Sequence, residues 1–174
     1  MLLKCGNITL RDAEASDAAR LAAWWNDGAV MAHAGFPNGL GTTAGAVASS
    51  LEKDRDGERR RLIIELDGEA IGEMSYRKEG AAADIGIKIC DASKQEKGIG
   101  KTALSLLIAE LFRMGFGKIM LDTDLENLRA QHVYERLGFR RLRINSGSWR
   151  DQLGQVRSSV YYELVPEDFI SFAE

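Results

Sequence analysis

The chain has 174 residues, 45% of them hydrophobic, and a formal net charge of −3. This length and composition suit one compact domain with a sizeable core, and we predict a single domain over residues 1–174. The weakly acidic balance offers no basic field for a nucleic-acid backbone, so we expect no nucleic-acid partner. No apolar run approaches the roughly 18 residues of a membrane span, and the first residues turn polar too soon for a signal peptide.

The cysteines and histidines are few and far apart. Cys5 and Cys90 do not form a disulfide framework, and His33 and His132 stand alone, without metal-ligand spacing. We therefore expect reduced thiols, a cytoplasmic location and no metal site.

The first half of the chain predicts one strand, two helices and three further strands. Residues 7–13 alternate in polarity as a strand does, and residues 16–27 carry apolar side chains at helical spacing. Four glycines and a proline predict a loop over residues 28–43, which is long for a connector and therefore a candidate for function. A second helix is predicted over 43–56, followed by strands at 60–67, 68–78 and 82–90.

The second half predicts a β-α-β unit, one more helix and a final pair of strands. Residues 100–115 form the strongest helical pattern, with Gly115 placed to end the helix. The remaining predicted elements are a strand at 118–124, a helix at 127–138 capped by Asn127, and strands at 139–149 and 155–165. This order indicates an α/β fold of the mixed (α+β) kind, with a mostly antiparallel seven-stranded sheet and helices on both faces.

The segment QEKGIGKTAL, residues 95–104, imitates the phosphate loop of a nucleotide triphosphatase. Gly100-Lys101-Thr102 sets the register of such a loop, and its first glycine would then have to be residue 95, which is Gln95. Counted from Gln95, the pattern is Gln-x-x-Gly-x-Gly between a strand and a helix. Glycines permit close backbone approach, and a helix start offers unpaired amides and a favourable dipole for an anion. The segment therefore predicts a pyrophosphate cradle, although a plain glycine turn before a helix is an alternative.

A second segment, LENLRAQHVYERLGF at residues 125–139, strengthens the functional interpretation. It places Asn127, Ala130 and Tyr134 on one helical face and ends in Leu-Gly-Phe where the next strand begins. The alternative is that Tyr134 is an ordinary core aromatic residue.

Together the two segments resemble the GNAT superfamily of acyl-CoA-dependent N-acetyltransferases. ICDASKQEKGIGKTAL is similar to the family's acetyl-CoA pyrophosphate motif, and NLRAQHVYERLGF is similar to its second hallmark. The early WWND, the loop after it and the hairpin GEAIGEMSY resemble the branch of ribosomal-protein (RimJ/RimL-type) N-terminal acetyltransferases, which also holds many small-molecule N-acetyltransferases. The resemblance implies transfer of the acetyl group of acetyl-CoA to a primary amine, by direct attack through a tetrahedral intermediate.

The resemblance also implies where acetyl-CoA binds. Strand 84–90 would splay from strand 118–124, so that pantetheine pairs with the strand backbone and pyrophosphate lies on the amides before the next helix. Glu96 is a departure, because many relatives have glycine there, and its carboxylate must point away from the phosphates. The implied cofactor-binding residues are Ile87, Lys88, Ile89, Gln95, Glu96, Lys97, Gly98, Ile99, Gly100, Lys101, Thr102, Asn127 and Tyr134.

The implied catalytic residues are Tyr134, Asp122 and Asp84. An alkyl amine has a pKa of roughly 10 and must lose a proton before it attacks, and the departing thiolate is best protonated by a neighbouring acid. Family position gives the acid role to Tyr134. The base stays open between Asp122, Asp84, Glu73 and an ordered water, and each carboxylate could equally be an ordinary surface group.

The implied acceptor-binding residues are Trp24, Trp25, Phe36, Asn38 and Glu73. The acceptor itself stays open between a protein N-terminus, a polyamine, an amino sugar and an amino acid. A homodimer is expected from family habit alone. The alternative from another class is a catalytically silent acyl-CoA-binding or sensor module.

Overall fold

A computed structural model describes residues 1–173 as an eight-stranded mixed sheet with helices on both faces. Glu174, the last residue of the predicted domain, lies outside the described residues. The strands are β1 (Leu2–Cys5), β2 (Ile8–Asp12), β3 (Arg59–Leu66), β4 (Glu69–Glu79), β5 (Ala82–Ile89), β6 (Lys118–Asp124), β7 (Arg140–Arg150) and β8 (Val156–Leu164). The α-helices are α1 (Ala18–Trp25), α2 (Gly28–Met31), α3 (Ala44–Leu51), α4 (Ile99–Arg113) and α5 (Leu128–Arg136).

The strand order is β1-β2-β3-β4-β5-β6-β8-β7, and one neighbouring pair in it is parallel. That pair is β5 and β6, which α4 connects, so the predicted β-α-β unit and the mixed sheet are confirmed. The prediction of seven strands was wrong by one. Residues 2–5 form an additional edge strand, which reverses at Gly6, at a φ of 56°, to pair with β2.

The predicted loop at 28–43 was also partly wrong, because it contains α2 and a 3₁₀ turn at Ala32–Ala34. Asp27 starts α2 by accepting a hydrogen bond from the Ala29 amide at 2.8 Å. Gly35 ends the turn in the left-handed region, at a φ of 94°. The rest of the segment is irregular up to Thr43, which caps α3 by accepting from the Ala46 amide.

The two faces of the sheet carry separate apolar clusters. α4 and α5 bury the larger cluster against most of the strands, with Leu104, Leu107 and Ile108 at its centre. α1 and α3 bury the smaller cluster, in which Leu21 packs with Ile63 of β3. Leu62 and Ile64, the neighbours of Ile63, belong to the larger cluster because successive strand residues face opposite sides.

The parallel pair opens in the middle of the sheet. β5 and β6 pair only from Ala82 to Asp84, opposite Lys118 to Met120. Beyond that point β5 stays paired with β4, and β6 stays paired with β8 through Asp124. The two strands therefore diverge, as predicted for strands 84–90 and 118–124. In the part of the chain that the structure describes, no strand pairs with this edge of β5 from residue 85 onward.

Candidate active site

The opening between β5 and β6 forms a cleft of about 1150 Å³ that runs along the start of α4 and one face of α5. A second cavity of about 560 Å³ lies towards α1 and the loop after it. The two cavities share residues 85–88 and Asp122 along their walls. Two molecules that enter from opposite sides would therefore meet at the free edge of β5.

The loop before α4 has a backbone shape that ordinary residues seldom adopt. Gly98 caps the helix at a φ of 78°, and Glu96, two residues earlier, lies at a φ of 62°. Positive φ is strained for residues other than glycine, which is the physical reason why glycine suits position 96 better. The first amides of this 15-residue helix have no partner within the helix, and Gly98 and Gly100 at the same end line the cleft.

The side chain of Gln95 connects the loop before α4 to β5 and to α5. Its side-chain amide donates to the Ile89 carbonyl at 3.0 Å, and its side-chain oxygen accepts from Arg129 of α5 at 3.0 Å. Arg129 also lies 3.6 Å from the carboxylate of Glu96. The Glu96 side chain is mostly exposed, so this ion pair is weak. The Glu96 carboxylate nevertheless points towards Arg129 on α5.

The same end of the cleft is lined by cationic side chains: Lys94, Lys101, Arg129 and Arg136, with His132 beside them. Lys101 was the one of these that the sequence predicted. Arg129, His132 and Arg136 follow one another at three and four residues along α5, so helical spacing was a signal that could have found them. A local excess of positive charge in an otherwise acidic protein attracts phosphates.

Three of the predicted cofactor-binding side chains do not line the cleft. The side chain of Ile99 is buried in the core, and Thr102 donates its hydroxyl to the Phe172 carbonyl at 3.4 Å. Lys97 is exposed to solvent and is not among the described residues that line the cleft. Asn127 lines the cleft and caps α5 as predicted, accepting from the Ala130 amide at 3.2 Å.

Tyr134 reaches the inner part of the cleft from α5 and is only 7% exposed. Its ring packs between Phe139 and Tyr162, with centroids 5.9 Å and 5.8 Å away. Burial, with a further contribution from the charge of Asp122, raises the pKa of the Tyr134 phenol well above its ordinary value. The phenol is therefore protonated throughout the neutral range.

Asp84 and Asp122 lie on the two strands that diverge, one on each side of the opening. Burial raises the pKa of Asp84, and the nearby charge of Asp122 adds to this, while Arg77 at 3.5 Å opposes it. Asp122 is open to the cleft, yet the protein around it excludes enough water to raise its pKa as well. Among residues 1–173, Asp122 has no cation within ion-pair distance.

The other carboxylates near the opening are already paired. Asp124 is almost completely buried against Arg157, and the Arg157 Nε donates to it at 3.0 Å. Glu73 of β4 is also buried, accepting from the Trp25 indole at 2.7 Å and facing the Lys88 ammonium at 3.5 Å. A paired carboxylate is a weaker proton acceptor than an unpaired one.

The smaller cavity is lined by several of the predicted acceptor residues. Trp25, Phe36 and Glu73 face it, whereas Trp24 and Asn38 are absent from its described lining. Trp24 packs instead in the core cluster between α1 and α3, and Asn38 donates its backbone amide to Gln152 at 2.8 Å.

Gln152 joins the β7–β8 turn to the loop after α2. Its amide donates to the Gly35 carbonyl at 2.8 Å, and its side chain donates to the Gly39 carbonyl at 3.0 Å while accepting from Asn38. The Trp149 ring packs on Gly35 so closely that a Cβ there would lie 2.5 Å from it. These contacts cover one end of the cleft, and no local sequence pattern predicted them.

The described residues contain neither a metal-binding cluster nor a membrane-spanning helix. Across residues 1–173, no cluster of three or more histidine, cysteine, aspartate or glutamate side chains is arranged to hold a metal ion. In the same part of the chain, no helix combines the length and the apolar character needed to cross a membrane.

The chain is similar to known proteins of one family. The family model described as an acetyltransferase (GNAT) domain matches residues 7–140. N-alpha-acetyltransferase 30 of Dictyostelium discoideum is 29% identical over 86 residues, which are 47% of this chain. The match spans less than half of that relative's own length, 46%.

Solved structures share the fold over nearly the whole chain. RimL, a ribosomal alpha-N-protein acetyltransferase solved in complex with coenzyme A, has a TM-score of 0.84 at 19% identity and covers 95% of this chain and 98% of its own. A spermidine N-acetyltransferase from Vibrio cholerae, in complex with CoA and spermine, has a TM-score of 0.82 at 20% identity, with coverages of 93% and 97%. With the fold, the diverging strands and the family match in agreement, this chain belongs to the family of GNAT acetyltransferases.

Proposed function

We propose that this protein transfers the acetyl group of acetyl-CoA to a primary amine. The observation that carries the proposal is the divergence of β5 from β6, with a cationic helix start at one end of the cleft. At the other end Asp122, which has no ion-pair partner among residues 1–173, lies beside protonated Tyr134. An acyl donor with a long, phosphate-bearing arm needs an extended cleft of this kind. The coenzyme A in the RimL and spermidine acetyltransferase structures supports the choice of donor.

The residues present fit acetyl-CoA. The free edge of β5 at residues 87–89 offers backbone groups to the amides of pantetheine. Gly100 lies close to this edge, since a Cβ at that position would be 3.7 Å from the Ile87 side chain and 3.9 Å from that of Ile89. The amides at the start of α4 and the nearby cations suit the pyrophosphate. The bound thioester would supply an activated acetyl carbonyl to the amine.

Asp122 is the best-placed proton acceptor of the three carboxylates proposed. Its raised pKa brings proton uptake closer to neutrality, and the absence of a described cation partner leaves its charge unopposed. Asp84, across the opening, would keep a second negative charge near the ammonium form of the acceptor. The acceptor ammonium would first lose one proton to solvent, and on C–N bond formation Asp122 would take the second proton, directly or through one water.

Tyr134 is the proposed acid for the leaving group. Tyr134 would donate its phenolic proton to the departing sulfur as the C–S bond breaks, because an alkyl thiolate with a pKa of about 8.5 is best released as the thiol. The raised pKa of Tyr134 means that the proton is present at the start of each turnover. Proton return from Asp122 through water completes the balance.

The acceptor proposed is an amine on a slender chain, such as a protein N-terminus or a polyamine. Trp25 and Phe36 line the smaller cavity and would pack against the chain, while Glu73 and Asp84 provide negative charge near its ammonium group. A location in the cytoplasm, a homodimer and a single domain over residues 1–174 all stay predictions.

A thermal-shift titration followed by a thiol-release assay tests this function. We expect acetyl-CoA to raise the melting temperature and ATP with Mg²⁺ to leave it unchanged, because ligand binding to the native state stabilises it. A panel of peptides, polyamines, amino sugars and amino acids should then release CoA with at least one member. A shift with ATP alone would exclude the proposal, and a shift with acetyl-CoA but no thiol release would make the protein a silent binding module.

A further inference from the structure

Residues 165–173 continue from the end of β8 and pass over the end of α5 and the first turns of α4. The Ile170 amide donates to the carbonyl of Leu137 at the end of α5, at 3.0 Å. The Phe172 amide donates to the hydroxyl of Ser105 in α4 at 2.9 Å, and Ser105 is fully buried. The backbone of this segment is therefore fastened to both helices, and the position of Phe172 is well defined.

The ring of Phe172 lies close to two of the cations that line the phosphate end of the cleft. The Lys101 ammonium is 3.9 Å from its centroid, and the Arg136 guanidinium carbon is 5.7 Å from it. Both distances are within the range of cation–π attraction. Lys101 comes from α4 and Arg136 from α5, so one ring contacts the cationic side chains of two different helices. Both side chains also line the cleft, whereas Phe172 itself is not among its described lining residues.

An aromatic ring holds a cation differently from a carboxylate. A carboxylate would neutralise the charge and occupy the N–H donors, whereas a ring attracts the cation through its quadrupole and leaves charge and donors available. Within residues 1–173, neither Lys101 nor Arg136 has a carboxylate at ion-pair distance. Arg129, on the same face of α5, already contacts Glu96 and Gln95.

We propose that Phe172 is a positioning residue that orients Lys101 and Arg136 towards the phosphates of the acyl donor. This inference rests on the proposed function, because it presupposes that the donor is a phosphate-bearing thioester. The ring restricts two flexible side chains before the ligand arrives, so that less conformational entropy is lost on binding. Residues far from the reacting atoms would thus contribute to donor affinity without taking part in the chemistry.

The test compares three substitutions within the same segment. Phe172→Leu removes the ring but keeps an apolar side chain, and Phe172→Tyr keeps the ring. Phe169→Leu is the matched control, because Phe169 packs edge-on against Phe112 with centroids 5.9 Å apart and contacts neither cation. Binding of CoA and of pantetheine, which has no phosphates, is measured by calorimetry at two salt concentrations, together with KM and kcat for acetyl-CoA.

We expect Phe172→Leu to weaken CoA binding about fivefold and to raise the KM for acetyl-CoA equally, with kcat and pantetheine binding unchanged. Phe172→Tyr should restore wild-type affinity, and Phe169→Leu should leave CoA affinity unchanged even if it lowers the melting temperature. A loss of affinity for pantetheine as large as that for CoA would overturn the proposal, as would equal losses in Phe172→Leu and Phe169→Leu.

A second measurement covers the case in which Phe172→Leu folds poorly. In a chain with intact Phe172, Lys101→Met and Arg136→Met together should weaken CoA binding and reduce its salt dependence, with pantetheine binding unchanged. Unchanged CoA affinity in this double variant would refute the role of the two cations. Failure of the wild-type protein to bind CoA at all would instead overturn the proposed function, and this inference with it.

Discussion

Replacing Tyr134 by phenylalanine removes one oxygen atom from the centre of the proposed site. The ring of Tyr134 is held by Phe139 and Tyr162, and the new side chain retains those contacts. Within residues 1–173 the phenol makes no hydrogen bond, so its removal leaves no described partner unsatisfied. We therefore expect the free energy of unfolding to change by less than about 1 kcal/mol.

The effect on turnover should be much larger. A positioned general acid contributes typically a hundredfold or more to the rate. Tyr134 is 7% exposed, so bulk water reaches the leaving sulfur poorly as a replacement acid. We expect kcat to fall about a hundredfold, which corresponds to about 2.7 kcal/mol in activation free energy. The Kd for CoA should change less than about threefold, because the phosphate end is untouched.

The assay follows thiol release at saturating acetyl-CoA and acceptor, and calorimetry measures CoA binding separately. The pH profile adds an independent check. Burial and the charge of Asp122 raise the pKa of Tyr134 above the ordinary value of 10.0, so the protonated form persists through the neutral and mildly alkaline range. Wild-type kcat should accordingly show no loss from Tyr134 ionisation below about pH 10.

Two results would refute this reasoning. A kcat within about threefold of wild type would show that the thiolate leaves without a tyrosine acid. Equal losses in kcat and CoA affinity would make Tyr134 a binding residue only. A melting temperature close to that of the wild type is the control that excludes unfolding as the cause.

Four further substitutions, one of them a control, test the site and the fold. Asp122→Asn should lower kcat/KM about tenfold or more at neutral pH and raise the melting temperature. The raised pKa of Asp122 means that its charged carboxylate is unfavourable in the native state. The gain in stability should therefore be present above the pKa of Asp122 in the folded protein and vanish at low pH. A lower melting temperature of the variant at neutral pH would contradict this. Burial would raise the pKa of Asp54, but hydrogen bonds from neighbouring arginines outweigh burial and lower it. Asp54→Asn should therefore lower the free energy of unfolding in urea by about 3 kcal/mol. That loss should be present above the unfolded pKa of 3.8 and disappear as pH falls through the lower folded pKa, and equal losses at pH 7 and pH 2 would contradict it. Gly138→Ala places a Cβ 1.9 Å from the Asp168 carbonyl oxygen at a φ of 97°, and should lower the free energy of unfolding by more than about 2 kcal/mol. Gly154→Ala is the control, because its φ is also positive, at 78°, but the space around it is open, and it should cost about 1 kcal/mol. Equal losses in the two variants would show that the contact with Asp168 is unimportant.

Patterns within a few residues correctly predicted the local structure around the candidate site. The alternation in 82–90 predicted β5, and the glycines at 98 and 100 predicted the turn into α4. The cap at Asn127 and the helix end at Gly138 were likewise readable, because capping depends on hydrogen bonds within one turn. The prediction of loop 28–43 failed because four-residue helices leave too short a pattern to detect.

The sequence by itself determined the elements, their order and the motif that identified the family. The tertiary structure decided which side chains those elements bring together. Gln152 contacts Gly39 from 113 positions away, and Phe172 reaches Lys101 only because residues 165–173 fold back over α4. The divergence of β5 from β6 arises because each strand keeps a different partner beyond Asp84. Contacts between residues distant in the chain depend on how the whole core packs, and no local pattern encodes them.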